Sequence, residues 1–266
     1  YELRSPMPVQ PTFISKARPY ATIVAIIGTF LVNAWSNIDP INGESIGAIS
    51  NRVFGDVMII PANYAFIIWG LIYLGLIAFG IYQLLPSQRS RSDLDPVRHA
   101  LIFSSVAQGV WVFLFLYRLF WGSMVAMAAI LIALAYGYYH QQQTVTPSRR
   151  DRWLVNRPLS LYLGWISVAT IVNGAIALYS TGWTELGLGM PAWTVIMLAV
   201  ATLLGSVMAF LYRDAVFAGV LIWAFVAIAV RHADQGLVSP VAIAASVVLI
   251  AALGVARWKQ VAPRSL

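Results

Sequence analysis

Cysteine is absent from the 266 residues, and Asp, Glu, Lys and Arg together supply only 10% of them, while 60% are hydrophobic. The first absence excludes disulfides and thiolate metal sites and leaves the redox compartment open. The second excludes an ordinary soluble domain, in which about a quarter of residues are charged. The chain reads as a membrane protein. A net charge of +7 could fit nucleic acid, but the basic residues stand in tails and between apolar runs, so no nucleic-acid partner is expected.

What fills the chain is apolar sequence in blocks long enough to cross a bilayer as helices. Eight segments are predicted, at 20–37, 61–85, 98–117, 121–140, 158–180, 191–212, 215–230 and 238–257, the seventh being the shortest. The fold class is therefore all-α, a polytopic membrane helix bundle. Residues 1–19 contain prolines and show no cleavable signal pattern, and they read as an extended cytoplasmic lead-in. Ile38 to Ile60 forms the longest non-cytoplasmic loop, and its I-D-P-I-N-G-E-S-I-G run favours turns over regular structure. Residues 258–266 read as a cytoplasmic tail.

Lys and Arg are retained on the cytoplasmic side during insertion. With eight spans and both termini inside, 14 of the 17 basic residues fall inside, leaving only Arg52, Arg118 and Arg231 outside. An odd number of spans would scramble that bias. A multi-pass protein of a bacterial inner membrane is expected, with the thylakoid as the alternative location.

Catalytic signals are scarce. No Asp, Glu, Lys or Arg stands well inside a predicted span, which disfavours a pump or an ion-driven antiporter. His99, His140 and His232 lie at predicted helix ends without carboxylates at metal-site spacing, and they read as headgroup-level histidines in preference to axial ligands. No Ser-His-Asp set, phosphate-binding glycine loop or intramembrane carboxylate pair is visible. No enzymatic activity and no metal site are expected.

Aromatic and amide side chains are instead placed with care. Phe66, Trp69 and Tyr73 share one face of the second segment. Ser104, Gln108, Trp111 and Phe115 share a face of the third, and Tyr162, Trp165, Ala169 and Asn173 a face of the fifth. An amide facing lipid would be unsatisfied, so Gln108 and Asn173 should point into the bundle. Three indoles around common space would suit a flat, mostly apolar ligand with a few polar edges. Packing is the competing account, because Trp is common at bilayer interfaces and amides join helices. Trp121, Trp153, Trp183, Trp193 and Trp258 fit the interface account, and Gly75, Gly80, Gly164 and Gly174 fit close helix approach.

At these positions the chain resembles the translocator protein family, TspO/MBR, the tryptophan-rich sensory proteins. Pro61, Trp69 and Tyr73 are similar to its P-x7-W-x3-Y signature on helix two. Gln108 and Trp111 resemble its N-x2-W on helix three, with Gln in place of Asn and Phe115 matching a further aromatic. Tyr162, Trp165, Ala169 and Asn173 resemble its P-Y-x2-W-x3-A-x3-N on helix five, with Leu161 where the proline stands. Ala65 occupies the position of an expected Phe, which is displaced to Phe66. The resemblance covers roughly 20–180 and implies a five-helix core whose pocket accepts porphyrins, sterol-like lipids and synthetic aromatic ligands under the first loop. It makes Pro61, Phe66, Trp69, Tyr73, Gln108, Trp111, Phe115, Tyr162, Trp165, Ala169 and Asn173 the candidate ligand-binding residues. The three helices within 181–257 lie beyond that core, apolar nearly all round, and serve either as packing against it or as a docking surface.

Two functions are expected from different classes. One is a binding or sensory protein for a tetrapyrrole (porphyrin, heme or chlorophyll precursor) or a lipid, with passive transport as a variant. The other is a structural or assembly subunit of a larger membrane complex. Expected partners are the hydrophobic ligand, membrane lipids, and either a membrane-protein complex or a second copy in a homodimer.

Overall fold

The computed structural model describes residues 13–143 and 147–261. Residues 1–12 and 262–266, most of the expected lead-in and tail, lie outside the described residues. In chain order the helices are α1 (Phe13–Ile38), α2 (Ile46–Arg52), α3 (Ile68–Tyr82), α4 (Asp95–Leu116), α5 (Phe120–Gln142), α6 (Arg157–Tyr179), α7 (Met190–Leu211), α8 (Ala215–Arg231) and α9 (Val238–Val261). A 3-10 turn, Asn63–Ile67, leads into α3.

All eight predicted segments form helices. Seven are long and apolar enough to cross a membrane, and the eighth, α8, is a shorter apolar helix. Its 17 residues rise about 25 Å, slightly less than a hydrocarbon core of about 30 Å. The side chains are arranged with polar groups inside: Ser104, Gln108, Ser123, Asn173 and Thr194 are buried, whereas Val24, Leu74, Phe103, Val125, Ile132 and Leu203 are exposed. Water would penalise that surface, and lipid does not.

Five helices close a ring. α1 packs on α3 and α4, α4 on α5, α5 on α6, and α6 back on α3. α8 lies against α6 and the 63–67 turn; α7 and α9 pack on it and on each other, and α7 also touches α6. Gly164 permits the α6–α8 contact, because a Cβ there would stand 3.1 Å from that of Val220. Gly75 plays the same part between α3 and α6, 3.1 Å from the Pro158 Cβ. Of the two roles open to the C-terminal helices, α8 thus takes packing against the core.

The connections separate into two ends. At one, Arg18 pairs with Asp95, Arg89 donates to Tyr20 (2.8 Å) and Arg91 to Asp151 (2.9 Å). At the other, Glu44 binds Arg52 and Arg118, Tyr179 donates to Asp56 and Arg231 to Asn51. Arg52, Arg118 and Arg231 therefore lie at the end opposite Arg18, Arg89, Arg91 and Arg98.

Three expectations are corrected. The lead-in is helical from Phe13, before the expected start, and is held there as Gln83 donates to the Pro19 carbonyl (2.6 Å) and Arg18 meets Asp95. The first loop contains α2, whose N-terminus is capped by Ser45 accepting from the Ala48 N–H, so the turn-forming residues before it end at a helix cap. Arg98 is not a loop charge: it is 1% exposed in the first turn of α4, donating to Gln83, Asp95 and the carbonyls of Gln88 and Arg91. A buried guanidinium is tolerated because its donors are met in this way.

Candidate functional site

Local chain geometry brings the three aromatic faces together. Pro61 precedes the 3-10 turn that carries Phe66, and α3 then places Trp69 one turn on. Trp111 and Phe115 come from α4, and Trp165, Ala169 and Asn173 from α6. These eight residues line one cavity of about 60 Å³. Phe66 meets Trp165 edge-to-face at 5.8 Å, and Trp111 lies 5.3 Å from Phe115, geometries that the ring quadrupoles favour.

Tyr73, Gln108 and Tyr162 do not line this cavity; they form a polar layer beside it. Gln108 donates Nε2–H to the Tyr73 hydroxyl (2.9 Å) and accepts from the Tyr162 hydroxyl. Asn173 is also engaged. Its Oδ1 accepts from the Trp111 indole (2.8 Å) and from Ser123 (3.2 Å), joining α4, α5 and α6. Both amides face inward and both hold helices together.

The roof that the resemblance placed in the first loop is built around a helix that the turn-rich run did not reveal. Ile46 and Ser50 of α2, with Ile60, close the cavity from above. The loop is anchored where Asn42 donates to the Leu116 carbonyl (3.1 Å) and Glu44 receives Arg52 (2.6 Å) and Arg118 (2.5 Å). The hydrogen bond from Arg52, aided by Arg118, holds the Glu44 carboxyl below its ordinary range against the opposing effect of desolvation. Arg118 reaches it from a left-handed backbone (φ 59°), a conformation that costs a non-glycine residue about 1 kcal/mol.

A second space of about 510 Å³ shares Phe66, Trp69, Trp111 and Ile46 with the first. Its other walls include Asn33, Asn37, Asn51, Asn63 and Ser45, so it is an amide-lined vestibule beside an aromatic cavity. Among the described residues, none lining either space is titratable. The inner cavity is far smaller than the ~300–1,000 Å³ of small-molecule pockets, and the vestibule lies within that range. His99, His140 and His232 line neither space, so a heme iron seated there would find no imidazole.

α8 braces the segment that enters α3. The Ala62 N–H donates to the Ala227 carbonyl (3.1 Å), the Trp223 indole to that of Ala65 (3.0 Å), and Arg231 to that of Pro61 (3.3 Å). Asp214, ahead of α8, accepts from Tyr138 (2.8 Å) and Ser160 (2.6 Å). Periodicity could not have revealed these links, because most run to backbone groups.

An all-α, multi-pass bundle that encloses an aromatic cavity beneath a tethered loop defines the class, a polytopic membrane protein with an aromatic-lined interior. The family model for TSPO-like protein matches residues 19–256, and the chain belongs to that family. The match takes in α7, α8 and α9 as well as the five-helix ring. No curated protein and no solved structure matches the chain. Family membership makes this a membrane protein of the binding or sensory kind.

Proposed function

We propose that the protein binds a flat hydrophobic small molecule, a porphyrin or chlorophyll precursor or a lipid of similar breadth, and does so without catalysis. The ligand's polar edge lies among Asn33, Asn37, Asn51 and Asn63, and its apolar edge passes between Trp69 and Trp111 toward the inner cavity. The carrying observation is that three indoles from separate helices border one cavity that shares its walls with an amide-lined vestibule. Amides satisfy carbonyl, hydroxyl or ring N–H groups without demanding a charge on the ligand. Binding by iron ligation is not part of this reading.

The test is titration of metal-free protoporphyrin into protein held in nanodiscs, read by tryptophan quenching and by porphyrin fluorescence. Trp69→Leu and Asn63→Leu should each weaken binding by about tenfold, as central contacts do. Affinity unchanged in both variants would remove the site. A second reading, an assembly subunit, draws on the engagement of Gln108 and Asn173 in helix-to-helix hydrogen bonds. Purification in mild detergent with a stoichiometric membrane partner, and no porphyrin binding, would favour it.

A further inference from the structure

At the end of the bundle opposite the tryptophan cavity, a polar pocket of about 650 Å³ lies between the start of α1, the α3–α4 connection and the first turn of α4. Lys16, Arg89, Arg91 and Arg98 border it with a single carboxylate, Asp95. That carboxylate is already paired twice, with Arg18 and Arg98. Arg91 is committed to Asp93 and Asp151. Two charges remain available: among the described residues Lys16 has no partner, and Arg89 donates to the Tyr20 hydroxyl alone. Ser90 and Ser92 add hydroxyls at the same mouth.

We infer that this pocket holds the phosphate of an anionic membrane lipid. Lys16 and Arg89 supply charge, and the buried Arg98 and its carbonyl partners keep the floor in place. The lipid source is favoured over free phosphate because an apolar track leaves the pocket along one face of α1. Lys16 and Tyr20 are followed at helical spacing by Val24, Ile27 and Leu31, all exposed. An acyl chain laid on that track would connect headgroup and hydrocarbon. Loop charge also assigns this end to the cytoplasmic leaflet, where anionic headgroups draw basic pockets between helices. The inference is independent of what the tryptophan cavity binds.

Native mass spectrometry of the full chain released from nanodiscs of mixed phosphatidylglycerol and phosphatidylcholine tests it. Phosphatidylglycerol should be retained selectively, and Lys16→Gln and Arg89→Gln should each reduce retention by about fivefold. Arg149→Gln with Arg150→Gln, exposed residues that do not line the pocket, should leave it unchanged. Equal loss in that control pair would show a diffuse charge effect and overturn the site. Equal retention of the two lipids, or inorganic phosphate bound in place of lipid, would overturn the lipid assignment.

Discussion

Asn173 illustrates how one side chain serves both packing and a cavity wall. Its carbonyl oxygen takes the Trp111 indole and the Ser123 hydroxyl, and its N–H returns to Ser123 (3.1 Å). Asn173→Leu should therefore destabilise the protein by about 1–3 kcal/mol, since it strands the buried Trp111 indole N–H in a medium without water, while the Ser123 hydroxyl keeps the Phe120 carbonyl (2.8 Å). Denaturant unfolding followed by tryptophan emission would measure it. Replacing Ser123 with Ala and Trp111 with Phe in the same chain should recover part of the loss, because an all-apolar junction leaves nothing unpaired. Spacing and polarity alone identified Asn173 as inward-facing, since hydrocarbon leaves an amide no other place. Its partners were beyond that argument, because Ser123 carries no pattern of its own.

The roof helix α2 depends on Glu44. A carboxyl held below its ordinary range stabilises the loop above the unfolded value and loses that contribution as pH falls through the lower folded value. Protection of the Ile46–Arg52 amides, taken relative to their intrinsic exchange rates, should accordingly be high at neutral pH and fall once the medium is more acidic than the ordinary Glu value of 4.5. Glu44→Gln should show the lower protection already at neutral pH. Arg118→Gly, which keeps the left-handed turn and removes the guanidinium, should loosen α2 without raising the strain. Nothing in the run I-D-P-I-N-G-E-S-I-G revealed α2, since seven residues give too short a period to read. Between the transmembrane elements, α6 and α8 meet at Gly164, and Gly164→Val should force them apart. A loss of about 1–3 kcal/mol in unfolding free energy is expected. Weaker protoporphyrin binding should accompany it, because α8 holds the Pro61–Ala65 segment.

Taken whole, the molecule is a five-helix ring with a bracing layer. A chain ending after Tyr179 would lose the Ala227 carbonyl for Ala62, the Trp223 indole for Ala65 and the Asp214 carboxylate for Tyr138 and Ser160. Such a chain should elute as aggregate from size exclusion in mild detergent, whereas the full chain should elute as one species. A monodisperse truncated form that still binds protoporphyrin would show that the ring stands without its brace. The resemblance in the first five segments left that question open. The family match over residues 19–256 treats the seven long helices and the shorter α8 as one region.

Composition, run length and loop charge suffice for a helical membrane bundle of eight segments, because a bilayer imposes element length and backbone pairing on any chain that crosses it. The inward faces of Phe66, Trp69, Trp111, Trp165, Gln108 and Asn173 follow from the same cause, as helical period and polarity are local properties of the chain. Cavity size, the amide vestibule, the burial of Arg98 and the hold of α8 on Pro61–Ala65 were settled only by tertiary packing. Each of these is a contact between segments far apart in the chain, many of them to backbone carbonyls, and a backbone carbonyl is the same in every residue.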